Sequence, residues 1–118
     1  MAAAFFHKLS KRHQTTDAGT LVGERQGTII HEYVIKCMEE IGYDLSRNVK
    51  KQLTPEMVDE ADKIIVMDEK QNLPDYLINS PKIIFWYVED AAGKSLEFHR
   101  KIRDQIKIFV EKLVKEIG

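Results

Sequence analysis

The sequence predicts an α/β fold, a three-layer doubly wound parallel sheet flanked by helices. Two apolar runs rich in β-branched residues, 63–67 and 82–87, alternate with segments of helical periodicity, and strands joined through helices run parallel. Because both runs are hydrophobic without interruption, we expect strands covered on both faces. The 118 residues contain no internal repeat and no linker rich in Pro, Gly or Ser. We therefore expect a single domain, residues 1–118, with one core.

The first half of the chain is expected to supply two helices and a short strand. Residues 1–12 have helical composition, yet no Ser, Thr, Asp or Asn precedes them to cap the first turn. Residues 14–18 favour extended backbone, and the glycine-spaced stretch 19–27 is expected to be a loop. From residue 28 to 41 apolar side chains recur at the helical period, and Gly42 follows as a natural terminator.

The second half is expected to alternate helices with the two apolar strands. Thr54 and Pro55 are typical of a helix start, so a short helix should run to about Ala61 and lead into the strand at 63–67. Pro74 and Pro81 punctuate the segment before the strand at 82–87. A last helix over about 95–117 carries an apolar stripe along one face, formed by Leu96, Ile102, Ile106, Phe109, Leu113 and Ile117.

Composition excludes several classes of partner. The formal net charge of -1 provides no basic field for nucleic acid, and no apolar run is long enough to cross a bilayer. The basic residues near the start follow the apolar ones, which is the wrong order for a secretory signal. A single cysteine, Cys37, agrees with a reducing compartment, so we expect a cytoplasmic protein.

Cys37 is the one thiol available for nucleophilic chemistry. A phosphatase cysteine needs a Cys-x5-Arg loop whose amides and guanidinium hold an oxyanion, but position 43 is Tyr43. Cys37 also lies on the apolar stripe of a helix, where a free cysteine usually behaves as a small buried hydrophobe. We therefore expect a structural role for it.

No cofactor or metal site is expected. The stretch 19–27 lacks both the Gly-Lys-Ser/Thr ending and the Gly-x-Gly-x-x-Gly spacing of nucleotide-binding loops. The four histidines lack metal-ligand spacing: His31 and Glu32 begin the pattern of a zinc-protease helix, but Ile35 stands where the second His would be. We expect each histidine to be a surface or partly buried polar group.

Carboxylates follow both predicted strands, at the edge where ligands of parallel sheets bind. They lie within 68–71 and at Glu89 and Asp90. Asp90 is the most interesting, because a carboxylic acid at that edge can protonate a leaving oxygen. Its alternative interpretation is a loop residue that caps the next helix, in keeping with the turn habits of Asp. The residues alone leave both open.

Short segments along the whole chain share a pattern with one known family. They are residues 1–6, 17–20 (Asp-Ala-Gly-Thr), 38–46 with its Ile-Gly-Tyr-Asp-Leu-Ser turn, 52–55 leading to 61–67, and 86–90 before Gly93. Together they resemble the low-molecular-weight protein tyrosine phosphatases, a family that also contains thioredoxin-coupled arsenate reductases. Intact relatives act on a phosphate or arsenate-type oxyanion through a cysteine in a Cys-x5-Arg-Ser loop.

The resemblance implies that Asp90 occupies the general-acid position, with Ala91 in place of the usual proline. It also implies that the 118 residues lack the family's first central strand and its phosphate loop, and are inactive as written. Neither subclass signature is present, since Ala91 and Ala92 replace the tyrosines of phosphotyrosine-directed members and 68–80 holds no resolving cysteine. The alternative is a non-catalytic binding or regulatory module, with self-association through unpaired strand edges.

Overall fold

The structure is a computed structural model that describes residues 1–10, 13–19, 31–67, 70–89, 91 and 93–117, with Lys70 described by its backbone alone. In chain order the elements are α1 (Ala2–Leu9), α2 (Glu32–Glu39), α3 (Pro55–Glu60), β1 (Ile64–Val66), a 3₁₀ turn (Lys70–Asn72), α4 (Asp75–Ile78), β2 (Ile83–Phe85) and α5 (Leu96–Ile117). None of the helices in these ranges has the length and apolar character needed to cross a membrane.

The two apolar runs form β1 and β2, which pair in parallel with Ile64 opposite Ile83 and Val66 opposite Phe85. The Ile64 amide donates to the Lys82 carbonyl at 3.0 Å, and the Trp86 amide donates to the Val66 carbonyl at 2.9 Å. The predicted α/β class with parallel strands is therefore confirmed.

Helices cover both faces of this sheet through two apolar clusters. The first cluster joins α1, α2 and α5 and has Phe5, Met38, Ile106 and Val110 among its buried residues. The second cluster joins α3, β1 and α4 through Val58, Val66, Leu73 and Leu77. Strand side chains alternate between the faces, so Ile64 and Ile83 pack against the second cluster whereas Trp86 packs against the first.

Local sequence signals fix several element ends. The Thr54 hydroxyl accepts a hydrogen bond from the Met57 amide at 3.4 Å, which confirms the predicted start of α3. Gly42 has a positive φ of 90°, and the Tyr43 amide just beyond it donates to the Met38 carbonyl at 3.0 Å. That left-handed residue ends the helix, as predicted. The described part of this helix begins at Glu32, and residues 28–30 lie outside the described ranges.

One expectation needs correction. Residues 14–18 form no strand and are exposed, while Gly19 makes an isolated parallel bridge to Gln52. The reason is that polar residues such as Thr15 and Thr16 present no apolar face to bury, so β propensity alone does not hold them in a sheet. Between Pro74 and Pro81, where no element was predicted, the chain forms α4, a single helical turn.

Candidate functional site

A cavity of about 1130 Å³ extends along β1, between the helical layers. It is bounded by residues 63–67, by residues 15–19 and by the segment 85–89 that leaves β2. Its walls come from both apolar clusters. Phe6, Ile102 and Ile106 line it from the first cluster, and Val58, Leu73 and Leu77 line it from the second.

The carboxyl ends of β1 and β2 meet at the edge of this cavity, where the sequence placed the candidate chemistry. Glu89 is exposed and lines the cavity together with Ala91. Asp90 lies outside the described residues, so its general-acid role stays a prediction, and so do any roles of Asp68 and Glu69. The structure brings the neighbours of Asp90 to the end of the cavity without describing the carboxylate itself.

Cys37 is fully buried in the first cluster, and its thiol donates a hydrogen bond to the Val34 carbonyl at 3.4 Å. Burial raises the pKa of this thiol, and the nearby Arg103 guanidinium only partly offsets that effect. A buried thiol with a raised pKa is a poor nucleophile at neutral pH. The expected burial of Cys37 is confirmed, and its structural role stays a prediction.

The guanidiniums nearest Cys37 bind protein acceptors. Nη1 of Arg103 donates to the Cys37 carbonyl at 2.7 Å and to Glu40 at 3.1 Å, while its Nε donates to Asp104 at 2.9 Å. Arg100 donates to both carboxylate oxygens of Glu40 at 2.7 to 3.1 Å. Hydrogen bonding to Arg100 lowers the pKa of the Glu40 carboxyl. These arginines tie α5 to the end of α2 through charge-assisted hydrogen bonds.

The histidines differ from expectation at one position. His99 is only 3% exposed, and its Nδ1 lies 2.8 Å from the Ser95 carbonyl. The His31 ring stacks on it with centroids 5.7 Å apart, while His31 Nδ1 accepts a hydrogen bond from the Tyr33 amide and so caps α2. The expectation of surface or partly buried histidines is therefore wrong for His99. Its place on the apolar stripe of α5, three residues before Ile102, was the available signal.

In the part of the chain that the structure describes, no three His, Cys, Asp or Glu side chains form a group that could hold a metal ion.

Sequence reasoning also missed the bonds of Lys82, whose Nζ donates to the carbonyls of Val58 and Asp59 at 3.0 Å each. The ammonium thereby satisfies two carbonyls at the end of α3. A lysine at the start of a strand gives no sequence signal of such a bond across 24 residues.

Comparison with known proteins places this geometry in a family. A family model described as low molecular weight phosphotyrosine protein phosphatase matches residues 1–118. The glutaredoxin arsenate reductase of Synechocystis sp. is 33% identical over 90 residues, which cover 75% of this chain and 69% of that protein. The match covers 64% of arsenate reductase 1 of Staphylococcus saprophyticus and 83% of a putative arsenate reductase of Halobacterium salinarum.

Solved structures agree with that match. An arsenate reductase in the reduced state superposes with a TM-score of 0.76 at 28% identity, covering 99% of this chain and 87% of that one. Wzb of Vibrio vulnificus, solved in complex with benzylphosphonate, superposes with a TM-score of 0.89 at 17% identity, covering 98% and 88%. The latter likeness is one of fold. The chain belongs to the low molecular weight phosphotyrosine protein phosphatase family.

Proposed function

We propose that this chain provides the scaffold of the family's oxyanion chemistry, and that a polypeptide of these 118 residues does not carry out that chemistry with its own thiol. The family reaction is phosphate monoester hydrolysis through a cysteinyl-phosphate, or arsenate reduction. Either one needs a thiolate that reaches a tetrahedral oxyanion. The observation that carries the proposal is the complete burial of Cys37, the single cysteine of the sequence.

The surroundings of Cys37 oppose a nucleophilic role for its thiol. Phosphoryl transfer depends on donors that are already aimed at the oxygens of the transferred group. Arg103 makes three hydrogen bonds to protein oxygens, so recruiting it would leave the Cys37 carbonyl without this donor and Glu40 with Arg100 alone. Cys37 itself would have to lose its proton inside the apolar first cluster, which its raised pKa opposes, or else leave that cluster.

We propose Asp90 as the general acid of this scaffold. The proposal rests on its sequence position after β2, and on Glu89 and Ala91, which flank it and line the end of the cavity. A protonated carboxyl there gives its proton to the leaving oxygen of an ester. Its role requires a nucleophile, so Asp90 alone is not expected to produce turnover.

The test is whether a covalent phosphate forms on the thiol. Purified 118-residue protein is incubated with an aryl phosphate, quenched in acid and digested, and the peptide that contains Cys37 is examined by mass spectrometry. We expect no phosphorylated peptide, and the same low rate of aryl phosphate hydrolysis for wild type, Cys37→Ser and Asp90→Asn. A phosphocysteine that disappears in Cys37→Ser would refute the proposal.

A second candidate function is a binding or regulatory module that associates with another copy of itself. The supporting observation is the exposure of two large apolar side chains, Tyr87 at 84% just after β2 and Ile108 at 56% on α5. Gln105, three residues before Ile108 on α5, donates to the Tyr87 carbonyl at 3.4 Å, which brings α5 against the segment that leaves β2. Apolar groups on an open surface favour association.

Sedimentation velocity over a range of protein concentrations tests the second candidate. We expect a monomer–dimer equilibrium that shifts toward monomer in the double variant Tyr87→Lys, Ile108→Lys, with Lys101→Ala as the control on the exposed face of α5. A wild-type protein that stays monomeric at the highest concentration would contradict self-association.

We also propose a cytoplasmic location, which the single, buried cysteine supports.

A further inference from the structure

The first turns of α2 and α5 meet at two stacked histidines. The His31 ring lies on the His99 ring, with centroids 5.7 Å apart and planes 12° apart. The Tyr33 ring meets both of them edge-on, at centroid distances of 5.2 Å and 5.4 Å. His31 is exposed, whereas His99 is 3% exposed. An exposed imidazole is therefore stacked on a buried one at the place where the two helices begin.

His31 binds the amides of the first turn of α2. Its Nδ1 accepts from the Tyr33 amide at 3.1 Å, and its carbonyl accepts from the amides of Val34 and Ile35 at 3.0 and 3.2 Å. A backbone amide is only a donor, so Nδ1 of His31 carries no proton and the single ring proton is on Nε2. Because protonation turns Nδ1 into a donor, the side-chain cap exists only while His31 is neutral.

His99 holds the first turn of α5 in the opposite tautomer. Its Nδ1 lies 2.8 Å from the Ser95 carbonyl, which also accepts from the His99 amide at 3.1 Å. A carbonyl is only an acceptor, so Nδ1 of His99 carries the proton. The Ser95 hydroxyl accepts from the Phe98 amide at 3.2 Å, as the side chain of an N-cap residue does. A second proton on His99 would therefore charge a buried ring within the capped first turn of α5.

Positive charge is disfavoured at this place for three reasons. Both helices begin here, and the N-terminus of a helix carries the positive end of the helix dipole. A charge on His99 would be buried, which costs free energy. Two charged rings with centroids 5.7 Å apart would also repel each other. Protonation of His31 and His99 thus opposes the closed arrangement of the two first turns.

The charged groups near the two histidines are exposed or paired. Glu32 and Glu97, the acidic residues of the two first turns, are exposed, so solvent and salt screen their charge. Arg100, next to His99, is bound by Glu40, and this hydrogen bond lowers the pKa of the Glu40 carboxyl. Glu40 therefore keeps its charge at a pH where histidines gain theirs. Acid in that range leaves the end of α2 tied to α5.

We propose that His31, stacked on His99, is a pH-sensitive latch at the start of α2. Protonation removes the His31 cap, so the first turn of α2 unwinds while Glu40 still ties its other end to α5. The open form binds protons that the closed form lacks, so the closed form gains stability as the pH rises. The latch is closed near pH 8 and opens toward pH 5, the range over which histidine changes its charge. This device goes beyond the functions proposed above and depends on neither of them.

Solvent exchange of single amides, measured by NMR, tests the latch in the 118-residue protein. Protection is expressed relative to the unfolded chain at the same pH, which removes the intrinsic pH dependence of exchange. The Met57 amide is the internal control, because its cap is the Thr54 hydroxyl, which does not titrate in this range. We expect the protection of the Tyr33 amide to fall about fivefold from pH 8 to pH 5, the effect of losing one cap. The protection of Met57 should stay constant.

Two variants separate this latch from the other histidines. Asn caps helices well and does not titrate, so His31→Asn should keep the Tyr33 amide equally protected at both pH values. His13 lies near the far end of α5, with its Nε2 3.3 Å from the Ile117 carbonyl, so His13→Asn should leave the fivefold change in place. Circular dichroism checks that both variants are folded.

The wild-type protein alone is enough to overturn the proposal. Equal losses of protection at Tyr33 and Met57 would indicate general acid unfolding, and constant protection at Tyr33 would show that no latch opens. Either result would overturn the proposal. A Tyr33 amide that still loses protection in folded His31→Asn would do the same.

Discussion

Replacing Ala3 by Leu should stabilise the protein, because Ala3 lines the cavity. The substitution adds three carbon atoms to a space that contains no protein atoms. Each buried methylene contributes about 0.8 kcal/mol, so complete burial of the three carbons would raise the free energy of unfolding by roughly 2.4 kcal/mol. Because burial is incomplete, we expect an increase of about 2 kcal/mol. Urea unfolding followed by circular dichroism measures the change. With a slope of roughly 2 kcal/mol per molar urea, the midpoint should rise by about 1 M.

The neighbouring Ala4 provides the matched control. Ala4 packs against the first cluster on the same helix, in a filled region, so Ala4→Leu should overpack the core and destabilise the protein by about 1–3 kcal/mol. Both substitutions exchange the same residue types within α1, so helix propensity cancels between them. Destabilisation of Ala3→Leu by as much as Ala4→Leu would mean that the cavity is absent and would refute the reasoning.

Three further predictions follow from single contacts. Thr54→Ala should cost about 1 kcal/mol in urea unfolding through loss of the α3 cap, whereas Thr54→Ser should cost little. Burial raises the pKa of the Cys37 thiol, so the buried neutral thiol stabilises the protein fully below the ordinary thiol pKa, and this stabilisation is lost as the pH rises through the folded value. Alkylation of Cys37 at pH 8 should therefore be slow in the folded protein and fast in urea. Equal alkylation rates in the two conditions would contradict this prediction. Arg100 lowers the pKa of Glu40, so their ion pair stabilises the folded protein above the ordinary carboxyl pKa, and this stabilisation is lost as the pH falls through the lower folded value. The urea unfolding midpoint should therefore depend less on pH in the acid range in Glu40→Gln than in the wild type.

The sequence predicts those elements whose signals are local. Thr54 and Pro55 mark the start of α3 because a side chain and a fixed φ act within one turn, and Gly42 ends α2 because its left-handed backbone strains other residues. The apolar runs that become β1 and β2 are also recognisable. The segment 14–18 shows the limit of this approach, since its extended preference found no apolar face to bury.

The site is less predictable than the elements. The burial of Cys37 could be inferred from its helical stripe, but the cavity could not be, because its volume depends on the separation between layers that distant parts of the chain set. The Glu40 pairs with Arg100 and Arg103 join residues 60 and 63 positions apart. No local pattern encodes such pairs, since each charged residue also suits a solvated helix face.

The two apolar clusters differ in the sequence separation of their residues. The second cluster is contiguous, from Val58 to Leu77. The first contains both Phe5 and Val110, so it cannot close until residue 110 has left the ribosome. Short-range contacts form faster than long-range ones. On the ribosome, the segment around β1 should therefore acquire structure before α1 packs against α5, and during that interval Phe5 and Phe6 lack the burial that they have in the folded protein.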